Sequence, residues 1–327
     1  MVISIGVLAH LIFLLLTNEQ NIFDYLSKIS LPYLLLIILC LLCNWLGHAL
    51  RLMIWTHYIG HPFAFRDTLR IAVYTELGAA VTPTLIGGGP IKMALMIKNK
   101  LSTGKAGFLT LLNGVEDFIM YCTVLVIGLF HARQSIMKIL NSIVNALQEN
   151  AMKILIVAAV IITLSYVWCK LGMYDKFHFL PDKLRRSIRH LLLELKAAWY
   201  EVKFSFNEVR KTGLKYLLCS LTVLFLQWTV RFTVLILLLK ALDIEFKVFQ
   251  VYLQQWIVYL TMIFIPTPGA SGGAEATFYL LFEKQLPKEF LPLIITTWRF
   301  FMYYMMLFLA IFVVQFVKFP EKKTDNN

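Results

Sequence analysis

Six ionisable side chains lie inside long apolar stretches of this chain, where a charge is costly. An ionisable residue in such surroundings marks a functional site or a buried ion pair by default. Arginine can bind a phosphate or carboxylate with two parallel hydrogen bonds, and carboxylates can pair with arginine or act as acid and base. The six are Glu76, Glu116, Asp117, Arg231, Glu275 and Arg299.

These side chains suggest an anion-binding site, but structural roles stay open. A bridge from Asp117 or Glu116 to Arg299 would either hold two parts of the molecule together or contact a polar headgroup directly. Arg231 could meet a lipid phosphate, or it could be paired or reach toward the membrane surface. The residues alone do not separate these alternatives.

Two matched breaks interrupt the apolar stretches, "TPTLIGGG" from Thr82 and "TPGASGG" from Thr267. Each reads Thr-Pro, three residues, Gly-Gly. Proline lacks the backbone N–H and glycine allows positive φ, so we expect free backbone groups at both breaks and helix N-termini facing an anion after each Gly-Gly. Packing kinks are the alternative interpretation. The candidate substrate-binding residues here are Thr82, Pro83, Gly87, Gly88, Thr267, Pro268, Gly272 and Gly273.

The elements that carry these residues are membrane-spanning helices. The chain is 59% hydrophobic and 15% charged, and its mean hydropathy is +0.72. Such a composition predicts an all-α polytopic membrane protein. The order is two helices, a broken element and a further helix, and then the same again. The apolar runs are 2–16, 32–55, 69–81 with 91–97, 106–130, 152–171, 214–239, 248–265 with 274–282, and 290–317.

The distribution of basic residues decides how the broken elements cross the membrane. If the first break is a re-entrant hairpin, 21 of the 31 Lys and Arg residues fall on one side and 8 on the other. The positive-inside rule then places the richer side, with both termini, in the cytoplasm of a cell (inner) membrane. A single crossing would remove this asymmetry. The richer side consists of 51–70, 92–105, 170–215 and 318–327.

The hairpin interpretation makes the two halves inverted repeats. Two broken elements at corresponding places of inverted halves predict a transporter with a site near the midplane. We therefore expect both breaks to converge on one cavity with the ionisable residues around it, and a valine at Gly272 or Gly273 to fill the tip. The expected organisation is a first repeat at 1–135, an extracytoplasmic linker at 136–151, a second repeat at 152–318 and a cytoplasmic tail at 319–327.

The segment 182–213 predicts an amphipathic cytoplasmic helix. Apolar residues recur every three or four positions, and the remaining face is basic, which suits the anionic surface of a membrane. This explains the net charge of +12 without a nucleic-acid partner. The apolar stripe is Leu184, Ile188, Leu191, Leu195, Trp199, Val202, Phe206 and Val209.

Three stretches of the sequence are characteristic: "TELGAAVTPTLIGGGPIKMALMIKNKLSTGKA", "FIPTPGASGGAEATFYLLF" and "TTWRFFMYY". Through them the chain resembles the lysylphosphatidylglycerol synthase transmembrane-region family, also described as flippase-like membrane proteins of the UPF0104 type, and the resemblance covers essentially the whole chain. It implies lipid handling. The soluble domain that transfers an amino acid in some members has no counterpart expected here, because the sequence ends at "KFPEKKTDNN".

Two functions therefore stand side by side. The first is a lipid translocator that moves an anionic or lipid-linked amphiphile, such as a phospholipid or a polyprenyl-linked compound, between the leaflets. The second is a membrane enzyme or accessory subunit acting on a lipid-linked sugar or phosphate, with Glu116, Asp117 and Glu275 as acid or base; a pure scaffold comes third. No catalytic, metal or nucleotide motif is present, so we expect no enzyme activity and no cofactor.

Overall fold

The computed structural model describes residues 29–82, 88–131, 163, 182–263, 265, 267, 269–288 and 290–316. Within these residues the fold is all-α, as the composition predicts, and no strand occurs. The expected helices at 2–16 and 152–171 lie outside the described residues, except for Thr163. The helices are α1 Leu31–Tyr58, α2 Phe65–Val81, α3 Gly88–Lys98, α4 Thr103–His131, α5 Asp182–Thr212, α6 Leu214–Ala241, α7 Val248–Met262, α8 Gly273–Phe282, α9 Leu291–Arg299 and α10 Met306–Phe316, with a π-helix at Phe300–Met305 between the last two.

Four continuous helical stretches are long and apolar enough to cross a membrane, among the residues described. They are Leu31–Tyr58, Thr103–Gly128, Leu214–Ala241 and Leu291–Gln315. Each exceeds the roughly 20 residues that the hydrocarbon core requires. Proline stands in the first turn of α1 and of α9, where its missing N–H leaves no hydrogen bond unmade. The chain is a membrane protein with several apolar helices.

Helices α1 and α6 pack antiparallel at the centre of the fold. Trp55 Nε1 donates to Ser220 Oγ at 3.0 Å near one end of the pair, and Gln227 Nε2 donates to Asn44 Oδ1 at 3.1 Å further along. A Cβ at Gly47 would lie 2.6 Å from Gln227 Cγ, so only glycine allows this approach. Small residues that bring backbones together are typical of membrane helix pairs.

The first broken element is a helical hairpin. Helix α3 starts at Gly88, where an added Cβ would lie 3.0 Å from the Thr75 carbonyl oxygen of α2. Further along α3, Met96 joins Ile71 of α2 in one buried apolar cluster. The chain therefore turns back after α2, and α3 returns along it, as the charge distribution predicts.

The second broken element is also a hairpin, formed by α7 and α8. Gln254 Nε2 donates to the Leu281 carbonyl at 2.9 Å, and Thr261 Oγ1 lies 3.3 Å from Thr277 Oγ1. This hairpin follows the end of α6, whereas the first follows the end of α1. Because α1 and α6 are antiparallel, the two hairpins start from opposite ends of the molecule.

Three of the basic segments meet at one end of the fold. Tyr58 hydrogen-bonds Thr212 at 2.8 Å, Lys105 Nζ donates to the Ile59 carbonyl at 3.3 Å, and Ser102 Oγ donates to Glu201 at 2.7 Å. The ends of α1, α3 and α5 therefore share one surface. That this surface is cytoplasmic stays a prediction, as do the division into two repeats and their two-fold relation.

Helix α5 forms where the sequence predicts it, but part of its apolar stripe packs on protein. Val202 and Val209 are buried, and the Phe206 ring lies 4.9 Å from that of Phe108 on α4. Trp199, by contrast, is 54% exposed. The stripe is thus divided between the α4 contact and an outer face; the side chains of Leu184, Ile188, Leu191 and Leu195 lie outside the described set.

A candidate binding cavity between the two breaks

A cavity of about 200 Å³ lies where the two hairpins, α4, α6 and the last helix meet. The last helix here means the continuous stretch of α9, the π-helix and α10. Ala79 and Ala80, at the end of α2, bring the first break to its wall, and Gly269 brings the second. The described residues beside the breaks therefore share one cavity. Its lining is His48, Glu76, Leu77, Ala79, Ala80, Tyr121, Trp228, Arg231, Tyr259, Met262, Ile263, Gly269, Arg299, Met302, Tyr303, Met306, Leu307 and Ala310.

Arg231 is held on the cavity wall by aromatic rings and one carboxylate. Its guanidinium lies 5.4 Å from the centroids of Trp228 and Tyr259. Its Nη2 donates to Glu76 Oε1 at 3.3 Å, a long contact, while its buried Nε has no hydrogen-bond partner among the described residues. Rings that desolvate and orient an arginine leave it ready to bind an anion.

Arg299 lies across the cavity and is more tightly held. Its Nε lies 2.7 Å from Glu275 Oε1, and its Nη2 donates to the carbonyl oxygen of Gly269 in the second break. Its guanidinium also stacks 4.9 Å from the Tyr303 ring centroid. These contacts fix the second break to the last helix and anchor it at the cavity.

Tyr303 connects the two breaks, a feature that the sequence did not reveal. Its hydroxyl donates to the Ala80 carbonyl at 2.8 Å, just before the first break. Its ring occupies the space beside Gly269, where an added Cβ would lie 2.5 Å from Cε2. Tyr303 belongs to the π-helix Phe300–Met305, and such segments often accompany functional sites.

The expected bridge from Asp117 or Glu116 to Arg299 is wrong. Glu116 is fully buried and accepts hydrogen bonds from Arg51 at 2.5 and 3.1 Å, from Trp55 at 2.7 Å and from Asn113 at 3.2 Å. Asp117 lies 3.4 Å from the same arginine. Neither carboxylate lines the cavity. Arg51 of α1 is close enough to pair with both the Glu116 and the Asp117 carboxylates. Arg299 pairs with Glu275 instead.

The glycines of the second break differ from expectation in two ways. The Gly272 N–H donates to Glu275 Oε2 at 2.7 Å, so the start of α8 is already capped by its own carboxylate and does not present that donor to a substrate. A Cβ on Gly272, at φ +85°, would meet nothing within 4 Å. Of Gly272 and Gly273, only Gly273 is at a position where a side chain would collide, with Ile265. Valine would therefore strain the backbone at the first position and crowd the tip at the second.

The remaining predicted residues lie at the edges of the breaks. Thr82 Oγ1 donates to the Gly78 carbonyl at 2.9 Å, and Thr267 Oγ1 donates to the Ser271 carbonyl at 2.9 Å, so both hydroxyls close local turns. Gly88 begins α3, packed on α2. Pro83, Gly87 and Pro268 lie outside the described residues.

Sequence reasoning missed the aromatic residues of the cavity. Trp228 stands three residues before Arg231, and Tyr303 stands four residues after Arg299. Helical neighbours at these spacings face each other, so an aromatic residue beside a membrane arginine is a readable signal. Tyr259 and His48 carry no such local signal. No group of three metal-ligating side chains occurs in the described part of the chain.

Comparisons with known proteins place the chain in a family. The family described as "Lysylphosphatidylglycerol synthase TM region" matches residues 1–310. A "UPF0104 membrane protein" of Archaeoglobus fulgidus is 25% identical over 311 residues, which cover 90% of each chain. No solved structure matches. Because the family match covers nearly the whole chain, this protein belongs to the membrane-protein family of the lysylphosphatidylglycerol synthase transmembrane region.

Proposed function

We propose that this protein is a lipid translocator that moves an anionic or lipid-linked amphiphile between membrane leaflets through the cavity. The observation that carries the proposal is that Arg231 and Arg299 line the same cavity, beside the broken helices. The family description names a lipid synthase, which supports lipid association. The cavity, with its two arginines, would hold the headgroup while the acyl chains remain among the membrane lipids.

The cavity has the chemistry that a phosphate-containing headgroup requires. Arg231 and Arg299 supply fixed guanidinium groups, and Tyr259 and Tyr303 supply polar tips on apolar rings. A volume of about 200 Å³ suits a compact headgroup. Desolvated donors that are already oriented cost little further ordering when an anion binds.

The cavity also has an apolar edge that reaches the molecular surface. Ile263 lines the cavity and is 43% exposed, and it stands directly after α7. Neighbouring Met302, Met306 and Leu307 are apolar. Acyl chains could stay outside along this edge while the headgroup enters, which is the arrangement that translocation of an amphiphile needs.

Hairpins that start from opposite ends give such a cavity two approaches. Ala80 stands at the tip of the hairpin that follows α1, and Gly269 at the tip of the one that follows α6. If the two halves are inverted repeats, rocking one half against the other would open the cavity to each leaflet in turn. This supports transport over the enzyme alternative, for which no described residue group adds a specific observation.

Reconstitution into vesicles tests the proposal. Vesicles would contain fluorescent phosphatidylglycerol, whose outer-leaflet molecules are bleached by a membrane-impermeant reductant. We expect the purified protein to bring the inner-leaflet lipid to the reductant, with the lipid chemically unchanged by mass spectrometry. A chemically altered lipid, or no leaflet exchange above that of protein-free vesicles, would refute translocation of this anionic phospholipid.

A neutral double variant links the exchange to the cavity. Arg231→Gln combined with Glu76→Gln removes both members of the ion pair and leaves no uncompensated charge. We expect this variant to insert and fold but to lose at least about 90% of the exchange rate, since about 1.4 kcal/mol of lost binding already costs tenfold. Glu208→Gln, on the exposed surface of α5, serves as the matched control and should keep the full rate.

A further inference from the structure

Among the residues that the structure describes, three ion pairs inside the fold differ in how firmly their carboxylates are held. The Glu116 carboxylate has donors from Arg51, Trp55 and Asn113. The Glu275 carboxylate pairs with Arg299 and also accepts the Gly272 N–H. These two carboxylates are held from several directions and are suited to holding helices in place.

Glu76 is held less firmly than the Glu116 and Glu275 carboxylates. Its contact with Arg231 is long, 3.3 Å through one nitrogen, and Arg231 is its one hydrogen-bond donor among the residues described. Its side chain is 23% exposed, and both partners line the cavity. This pair is therefore the one that an incoming anion can open, because a phosphate oxygen offers Arg231 a charge-assisted bond at least as good.

The charge balance of the cavity then raises a second requirement. Arg231 with Glu76, and Arg299 with Glu275, form two neutral pairs. A singly negative headgroup that displaced Glu76 would leave one uncompensated negative charge in an apolar surrounding, which is expensive. Uptake of one proton by the displaced carboxylate removes that charge.

We propose that binding of an anionic headgroup to Arg231 is coupled to protonation of Glu76. The phosphate takes the carboxylate's place at the guanidinium, and the freed carboxylate takes up one proton, supplied by the aqueous buffer, to become a neutral carboxyl group. This inference rests on the proposed function and adds the ion to which it is coupled. It makes Glu76 the site through which a proton gradient acts on movement of the lipid.

Glu76 is the group best placed for this role among the titratable and charged groups around it. His48 of α1 is the main competitor, since it also lines the cavity. The others are already engaged: Lys92 of α3 by Asn113, Arg299 by Glu275, and Tyr303 by Ala80. Tyr121 of α4 and Tyr259 of α7, which also line the cavity, complete the set.

Calorimetry counts the proton directly. The probe is dihexanoyl phosphatidylglycerol, a soluble phospholipid whose phosphodiester stays singly negative at neutral pH. Its binding enthalpy to the purified full chain is measured in two buffers of different ionisation enthalpy. We expect uptake of about one proton per bound probe in the wild type, none in Glu76→Gln, and about one in Glu208→Gln. The wild-type Kd should also rise up to about tenfold per pH unit above neutrality, whereas that of Glu76→Gln should stay constant.

The calorimetric results separately test the proton coupling, its assignment to Glu76 and the proposed function. Binding without proton uptake in the wild type overturns the coupling and leaves the proposed function standing. Proton uptake that persists in Glu76→Gln overturns the assignment to Glu76 and moves it to His48. Absence of probe binding to the folded wild type, with no leaflet exchange in vesicles, overturns the proposed function and this inference with it. If Glu76→Gln does not fold, the wild-type pH dependence of Kd still tests whether binding is coupled to proton uptake.

Discussion

At the scale of single residues, neighbouring carboxylates on α4 have different roles because their surroundings differ. Glu116 is fully buried and hydrogen-bonded by three side chains, whereas the Asp117 side chain is 39% exposed and lies 3.4 Å from Arg51. A buried charge that loses its main partner is costly, whereas loss of the Asp117 carboxylate leaves Arg51 paired with Glu116. The two residues therefore form a matched pair for mutation.

Glu116→Gln should destabilise the fold strongly, because it removes the closer charge partner of the buried Arg51 guanidinium and leaves only the longer contact with Asp117. We expect a loss of roughly 3–5 kcal/mol in the free energy of unfolding. Asp117→Asn should cost under about 1 kcal/mol. Thermal unfolding in detergent measures both. Equal effects would show that this cluster is not the buried tie between α1 and α4 described above.

Gly269→Ala should disturb the link between the two breaks. The residue has φ +59°, and its new Cβ would lie 2.5 Å from the Tyr303 ring, so the ring must leave its contact with Ala80. Gly60→Ala is the control, since Gly60 has φ +72° and open space around it. Both variants incur about 1–2 kcal/mol of backbone strain.

Crowding adds roughly 1–3 kcal/mol at Gly269 alone. We therefore expect Gly269→Ala to have the lower melting temperature and to lose leaflet exchange in vesicles, while Gly60→Ala keeps its exchange rate. A Gly269→Ala variant with the stability and rate of Gly60→Ala would contradict the contact between Tyr303 and the second break.

At the scale of elements, hydrophobic runs and Gly-Gly positions predicted the helices to within a few residues. Helix α3 begins at Gly88 and α8 at Gly273, as the breaks imply, and the helices that the structure describes follow one another in the expected order. Partner choice was not predictable, because Arg51 lies distant in sequence from Glu116. The aromatic wall of the cavity was missed for a similar reason: Tyr259 approaches Arg231 only through the packing of α7 on α6.

Helix α5 provides a test at this scale, because its stripe is divided between two surroundings. Val202 is buried against α4, whereas Phe204 is 66% exposed. Val202→Ala should cost roughly 2 kcal/mol through two lost methyl groups and the space left behind. Phe204→Ala, although it removes a larger side chain, should change stability by no more than about 0.5 kcal/mol. Melting temperatures in detergent that rank the two in reverse would contradict the docking of α5 on α4.

At the scale of the whole molecule, the two hairpins and the last helix enclose one cavity that contains charge. The apolar helices exclude water from most of the fold, so Arg231 and Arg299 keep strong electrostatic interactions there. Structural ion pairs away from the cavity, such as Arg51 with Glu116, hold the helices that surround it. We propose that a lipid headgroup passes through this space.

Cysteine modification at the cavity edge tests whether the lipid headgroup passes through the cavity. In a background without the native cysteines, Ile263→Cys places a thiol on the cavity lining, and Phe308→Cys places one on an exposed position outside it. Both are labelled to completion with a charged methanethiosulfonate, checked by mass spectrometry, and reconstituted with fluorescent phosphatidylglycerol. We expect labelling at Ile263 to remove most of the leaflet exchange and labelling at Phe308 to leave it unchanged. Full exchange with Ile263→Cys labelled would show that the headgroup does not pass through the cavity.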